Sequence, residues 1–185
     1  MKKVCIFAWS FILLIITSAN SVFSQDFWEQ TNGPYGGRIK AFAINPTTQS
    51  IFVGTGSGGI FRSTDNGDSW VAVNTGLTNT NIYALVLNAS EHIFSATDGG
   101  VFCSTNDGDS WTAVNNGLTN SPVRALSINV SGHIFAGTDG GVFRSTNNGE
   151  SWEEVNTALT STSVQDLAIN SSGDRNSTRM NSRHI

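Results

Sequence analysis

From Trp28 to Gly173 the apolar residues fall in short alternating bursts separated by Gly, Asn, Asp and Ser, with no stretch at helical spacing. One span is typical. Val123–Ile128, His133–Thr138, Gly141–Thr146 and Ser151–Val155 each read as a strand. Between them lie Asn129–Gly132, Asp139–Gly140 and Asn147–Glu150, residue types that supply the left-handed backbone of tight turns. The whole pattern repeats: Trp70, Trp111 and Trp152 stand 41 residues apart, and Trp28 precedes the first of them by 42. The units run 28–69, 70–110 and 111–151, with a partial unit at 152–173. Four antiparallel strands in roughly 40 residues make a propeller blade. The expected fold is therefore all-β, a β-propeller of four-stranded antiparallel blades. About three and a half blades are expected, an incomplete ring whose last sheet exposes an unpaired edge and a bare inter-blade face.

The recurring aromatic and aliphatic positions support that packing. Phe52, Phe94 and Phe135 share one repeat position, Phe61, Phe102 and Phe143 another, and Leu77, Leu118 and Leu159 a third. A single blade cannot cover both its faces, so these side chains are expected between neighbouring sheets.

The hairpin before each tryptophan has a fixed composition. It reads Ser63-Thr-Asp65-Asn-Gly67-Asp-Ser69-Trp70, Ser104-Thr-Asn106-Asp-Gly108-Asp-Ser110-Trp111 and Ser145-Thr-Asn147-Asn-Gly149-Glu-Ser151-Trp152. An Asx side chain can accept backbone N–H groups inside such a loop. The Gly adopts a conformation closed to residues with a Cβ, the Ser hydroxyls can bond back across the hairpin, and the Trp offers an apolar plate for the loop. The motif resembles the Asp-box, or BNR repeat, of bacterial sialidases, xyloglucan-hydrolysing glycosidases, sortilin-type luminal domains and photosystem II assembly factors. Two copies carry Asn where that family usually has Asp. The resemblance implies a turn that stabilises the propeller on the face away from the ligand site, in enzymes and non-enzymes alike, so it speaks for fold and not for chemistry.

The two ends depart from the repeat. Lys2 and Lys3 precede an apolar run, Val4–Ile16, broken only by Ser10, and small residues follow up to Ser24. This is the pattern of a secretory signal peptide, residues 1–24, cleaved after Ser24. The run is shorter than the ~20 residues that span a bilayer. A secreted, extracellular or periplasmic protein is expected, with no membrane span after cleavage. Beyond Gly173 the alternation stops. Residues 174–185 resemble the translation of a sequencing-adapter read and are expected to be artefactual or disordered.

Between residues 25 and 173 there are five basic side chains (Arg38, Lys40, Arg62, Arg124, Arg144) against 13 acidic ones. Such a body repels phosphate backbones, which argues against a nucleic-acid partner. Cys103 alone follows the leader, so no internal disulfide forms; it replaces Arg62 and Arg144 of the neighbouring repeats and reads as a strand substitution. The Asn106–Asp109 loop lacks the alternating ligands and distal Glu of a calcium loop, and no metal or cofactor is expected. Asn88, Asn129 and Asn170 form Asn-x-Ser triplets, again 41 apart, and read as turn residues and not as glycan acceptors.

In a propeller the loops entering the innermost strand and those joining its second and third strands open on one face. Here these are 74–81, 115–122 and 156–163, together with 55–59, 97–100 and 138–141. Asp98 and Asp139 lie in the second set. One repeat position varies sharply between constant neighbours: Lys40, Tyr83, Arg124 and Gln165 are equivalent, just inside the first strand. These six residues are the candidate ligand-binding set, and no catalytic residue is assigned. A non-catalytic binding module for an unknown protein or carbohydrate is the expected function. The alternative is part of a glycoside hydrolase, which needs two carboxyl groups flanking a cleft.

Overall fold

The computed structural model describes residues 33–34, 37–157, 159–160 and 162–169. The leader at 1–24, Trp28, Asn170 and the tail at 174–185 lie outside the described residues.

Among the described residues, twelve strands form three sheets of four. The first contains β1 (Ile39–Ile44), β2 (Ile51–Thr55), β3 (Ile60–Ser63) and β4 (Val71–Ala72). The second contains β5 (Ile82–Leu87), β6 (Ile93–Thr97), β7 (Gly100–Ser104) and β8 (Thr112–Ala113). The third contains β9 (Val123–Ile128), β10 (Ile134–Thr138), β11 (Gly141–Ser145) and β12 (Glu153–Glu154). Each sheet is an antiparallel meander in chain order. The outermost strand of each falls just after its tryptophan, so every sheet straddles the Trp-to-Ser unit boundary.

Burial explains why the second strands do not alternate. β6 and β10 are buried at every residue: β6 lies between the first and third sheets, and β10 between the second sheet and the segment 162–169. The two-residue outer strands are exposed. The core lies between sheets. Ala41, Ala43, Phe52, Ile60, Val73 and Leu77 of the first sheet and its connection pack on Ile82, Leu85, Ile93, Phe102 and Trp111 of the second. A parallel cluster around Phe94, Leu126, Phe143 and Trp152 joins the second sheet to the third. Residues 162–169 form no regular strand, yet Val164 packs on Phe135 and Val142 and donates its N–H to the Thr138 carbonyl at 2.8 Å. Each buried Phe contributes about 1.5–3 kcal/mol of transfer free energy, so these seams dominate cohesion.

The tryptophans do more than support their own loops. Trp111 and Trp152 cross to the preceding sheet, where their indole N–H groups donate to the carbonyls of Val73 (2.8 Å) and Val114 (2.7 Å). Their backbone N–H groups bond Thr75 and Asn116 of the preceding connection. Gly76 and Gly117 follow those residues at φ 83°, where a Cβ would lie 2.2 and 2.3 Å from the Trp111 and Trp152 carbonyls. Only Gly lets the connection pass so close.

Candidate binding site

The hairpin boxes are built from a few local bonds. In the first, the Gly67 N–H donates to Ser63 Oγ at 2.8 Å, Ser63 Oγ to Asp65 Oδ1 at 2.7 Å, and the Ser69 N–H to Asp65 Oδ1 at 2.9 Å. The Ser69 hydroxyl donates to the other carboxylate oxygen. These bonds, those from Ser69 first, hold the Asp65 carboxyl down to about 2. In the second and third boxes Asn106 and Asn147 accept the same backbone N–H groups, but their amides donate to Ser110 and Ser151 at 2.9 Å. The hydroxyl reverses its role, so the amide keeps the loop.

The variable residue inside each box has a second task. Asn66, Asp107 and Asn148 are left-handed, at φ 58°, 54° and 55°. Asp107 reaches the first sheet, where it accepts from Ser50 Oγ at 2.8 Å and Asn45 Nδ2 at 3.1 Å and lies 3.5 Å from Arg62. Asn148 accepts from Asn88 of the second sheet at 3.0 Å. Asn45, Asn88 and Asn129 also accept backbone N–H groups within their own turns. These acidic loops therefore brace one blade on the last. Among the described residues no cluster of three or more potential ligands could hold a metal. Cys103 lies half-buried on β7, its thiol pushed up to about 11 by burial.

The opposite ends of the blades carry the varying positions. The β1–β2 register steps from Ile39↔Thr55 to Ala41↔Gly54, leaving Lys40 unpaired in the ladder. The same step leaves Tyr83 out between Ile82↔Thr97 and Ala84↔Ala96, and Arg124 out between Val123↔Thr138 and Ala125↔Gly137. Each is the extra residue of a β-bulge, a device that re-aims a side chain without breaking the strand. The sequence marked these positions by their variability. The bulge itself was not legible, because an extra residue is defined only against its partner's register.

The bulges aim the three side chains at one another across blades. Lys40 Nζ lies 4.4 Å from the centre of the Tyr83 ring and the Arg124 guanidinium 5.5 Å from it, two cation–π contacts on one aromatic. Lys40 donates to Asn81 Oδ1 at 2.9 Å; Asn81 donates to the Tyr83 oxygen at 3.0 Å and to Asp98 at 2.7 Å. The Tyr83 hydroxyl donates to Asp98 at 2.7 Å. Arg124 takes Asp139 bidentately, both bonds at 3.1 Å. Gln165 and Ser163 then reach Asp139 at 3.3 Å, and Gln165 donates to Ser163 at 2.9 Å. Lys40, Tyr83, Asp98, Arg124, Asp139 and Gln165 thus meet in one continuous polar row. Asn81 and Ser163, which join its segments, were not among the sequence candidates.

The two aspartates are available because a threonine holds each turn. Thr97 Oγ1 accepts from the Gly99 N–H and donates to the Gly100 carbonyl, and Thr138 does the same with Gly140 and Gly141. The row also sets protonation. The hydrogen bond from Tyr83 holds the Asp98 carboxyl below its ordinary value, and that bond raises the phenol. Arg124 lowers the Asp139 carboxyl, and Asp139 raises the guanidinium. Both carboxyls are anionic at neutral pH.

No protein-family model and no curated protein sequence matches the chain. Solved structures do. An ancestral GH74 enzyme superposes with a TM-score of 0.60 at 25% identity, over 77% of this chain and 22% of its own. The extracellular domain of a protein described as a hybrid two component system from Bacteroides thetaiotaomicron gives a TM-score of 0.60 at 15% identity, over 77% and 20%. An auxiliary nutrient binding protein from the same organism gives 0.61 at 10%, over 75% and 35%. The chain spans about a fifth of the length of the first two. The three meander sheets, stacked face to face, are β-propeller blades. Among the described residues no helix is long and apolar enough to cross a membrane.

Proposed function

We propose that this chain is part of a secreted, non-catalytic propeller of the Asp-box type that binds a protein or glycan ligand on the face carrying the bulges. One observation supports the reading above others: of the four varying positions, Lys40, Tyr83 and Arg124 sit on repeated bulges and join Gln165 in a single polar row. Their neighbours in the ladder stay constant, so the row is presented by a rigid frame, as recognition requires. The boxes at the other end are consumed by packing and turn bonds. The signal-like leader and the extracellular setting of one fold neighbour fit secretion.

A second reading is part of a glycoside hydrolase, favoured by the likeness to a GH74 enzyme. The row does not itself supply the acid: a glycosidase holds one carboxyl protonated, whereas Asp98 and Asp139 are each lowered by a hydrogen-bonding partner, Tyr83 and Arg124.

The test is binding of the leaderless chain to immobilised oligosaccharides, among them xyloglucan fragments, with hydrolysis assayed in parallel. Binding without turnover, weakened at least tenfold in Tyr83→Ala and Arg124→Ala with the circular-dichroism spectrum unchanged, is expected. Release of reducing ends by the wild type, abolished in Asp98→Asn or Asp139→Asn, would put the hydrolase reading in its place.

A further inference from the structure

The body of this protein has acidic side chains in excess, 13 against five, so a cation left without a carboxylate does not reflect a shortage of partners. At the box end both arginines are consumed: Arg62 pairs with Asp107 and Asp109, and Arg144 with Glu153. At the bulge end the pattern is different. Arg124 is committed to Asp139 through its Nε and one terminal nitrogen. Lys40 and Arg38 make no direct ion pair with a carboxylate among the described residues, although, beside the Tyr83 hydrogen bond, the Lys40 charge helps hold the Asp98 carboxyl down. Lys40 bonds a neutral amide, that of Asn81, and Arg38 contributes only its backbone carbonyl, to the Gly56 N–H at 2.9 Å. Both side chains are exposed. Asp166, beside the row, spends a carboxylate oxygen on the Leu167 N–H at 2.9 Å.

The acidic excess opposes a polyanion over the body as a whole, but three of its five cations, Arg38, Lys40 and Arg124, gather at the bulge end. Resting on the binding reading above, we infer that the bulge row takes a short glycan bearing carboxylates, a run of uronic-acid units, with Lys40 and Arg38 as the anion-binding groups. Lys40 comes from the first sheet, Tyr83 from the second and Arg124 from the third, so a carboxylate chain laid along the row passes from Lys40 over the aromatic towards the Asp139-paired Arg124. Tyr83 is committed to these cations at 4.4 and 5.5 Å and is not a bare platform for a neutral sugar ring. Around the cations lie short planar amides, hydroxyls and carboxylates (Asn81, Ser163, Gln165, Asp139), which match sugar hydroxyls through hydrogen bonds. A peptide partner would instead want an apolar anchor in a desolvated pocket, and the row offers none.

The experiment is isothermal titration of the leaderless chain with three probes of matched length: an oligogalacturonate, a neutral oligogalactose and a poly-glutamate peptide. Expected is at least tenfold tighter binding of the oligogalacturonate than of either other probe, weakening as salt is raised because the cations are exposed. Lys40→Gln should cost about tenfold for that probe, Lys40→Arg should restore most of it, and Arg38→Gln should cost several-fold, all without change in the thermal transition. Equal affinity for the neutral oligogalactose would overturn the carboxylate assignment while leaving the binding reading intact. Tighter binding of poly-glutamate would overturn the glycan. Failure of all three probes overturns the inference, and the binding reading then stands or falls on the broader panel.

Discussion

Asp65 is charged where its box counterparts Asn106 and Asn147 are neutral, and the difference is testable by pH. Its carboxyl is held near 2 by Ser69 and Ser63, below the ~3.9 of an unfolded aspartate. A depressed folded value adds stability that is complete above about pH 4 and is lost as pH falls towards 2. Asp65→Asn should keep the turn, as Asn106 and Asn147 do, and flatten the acid limb of the melting temperature against pH. Asp65→Ala should lower the melting temperature at neutral pH below that of Asp65→Asn. If Asn and Ala behave alike at pH 7, the loop does not depend on the accepting oxygen. The accepting role of this residue was legible in the sequence, because Ser, Asx and Gly at fixed spacing allow few local geometries. The reach of Asp107 to Asn45, a contact 62 residues away in the chain, was not: nothing local distinguishes a left-handed Asx that faces solvent from one that braces a neighbour.

Between elements, these braces and the indole bonds tie one sheet to the next. Asp107→Ala would leave the fully buried Asn45 and Ser50 without their shared acceptor, at a cost of about 1–3 kcal/mol. In a double-mutant cycle with Ser50→Ala the coupling should be about 0.5 kcal/mol or more. Urea denaturation measures both, and additivity would mean that the two side chains act separately. Strand existence and order were readable from alternation and turn residues. The Trp side chains were expected to back their own loops, and Trp70 lies beside Gly67 of its own; Trp111 and Trp152 also seal the seam to the preceding sheet, because an indole offers a large apolar area and one donor that must find a carbonyl.

For the whole molecule, the first sheet presents a face that its sisters bury. Leu85 and Leu126 are each 7% exposed, whereas their counterpart Phe42 is 57% exposed and Ile44 49%. The Trp70 indole N–H, unlike those of Trp111 and Trp152, is buried without a partner among the described residues. This face is complementary to another blade of the same repeat, and the leaderless chain on its own should self-associate through it. Sedimentation velocity should show concentration-dependent association that Phe42→Glu reduces, with the core intact because Phe42 is exposed. A monomer at all concentrations, or association unaffected by Phe42→Glu, would contradict this.

The bulge separates two things that most strand positions combine. Lys40, Tyr83 and Arg124 take no place in the ladder pairing, so their replacement leaves the frame's hydrogen bonding untouched. Each blade thereby contributes one freely rewritable letter to a shared word read along the rim. Changes to those letters would leave the ladder's hydrogen bonds intact, at the cost only of side-chain contacts such as the packing of Tyr83 on the second seam.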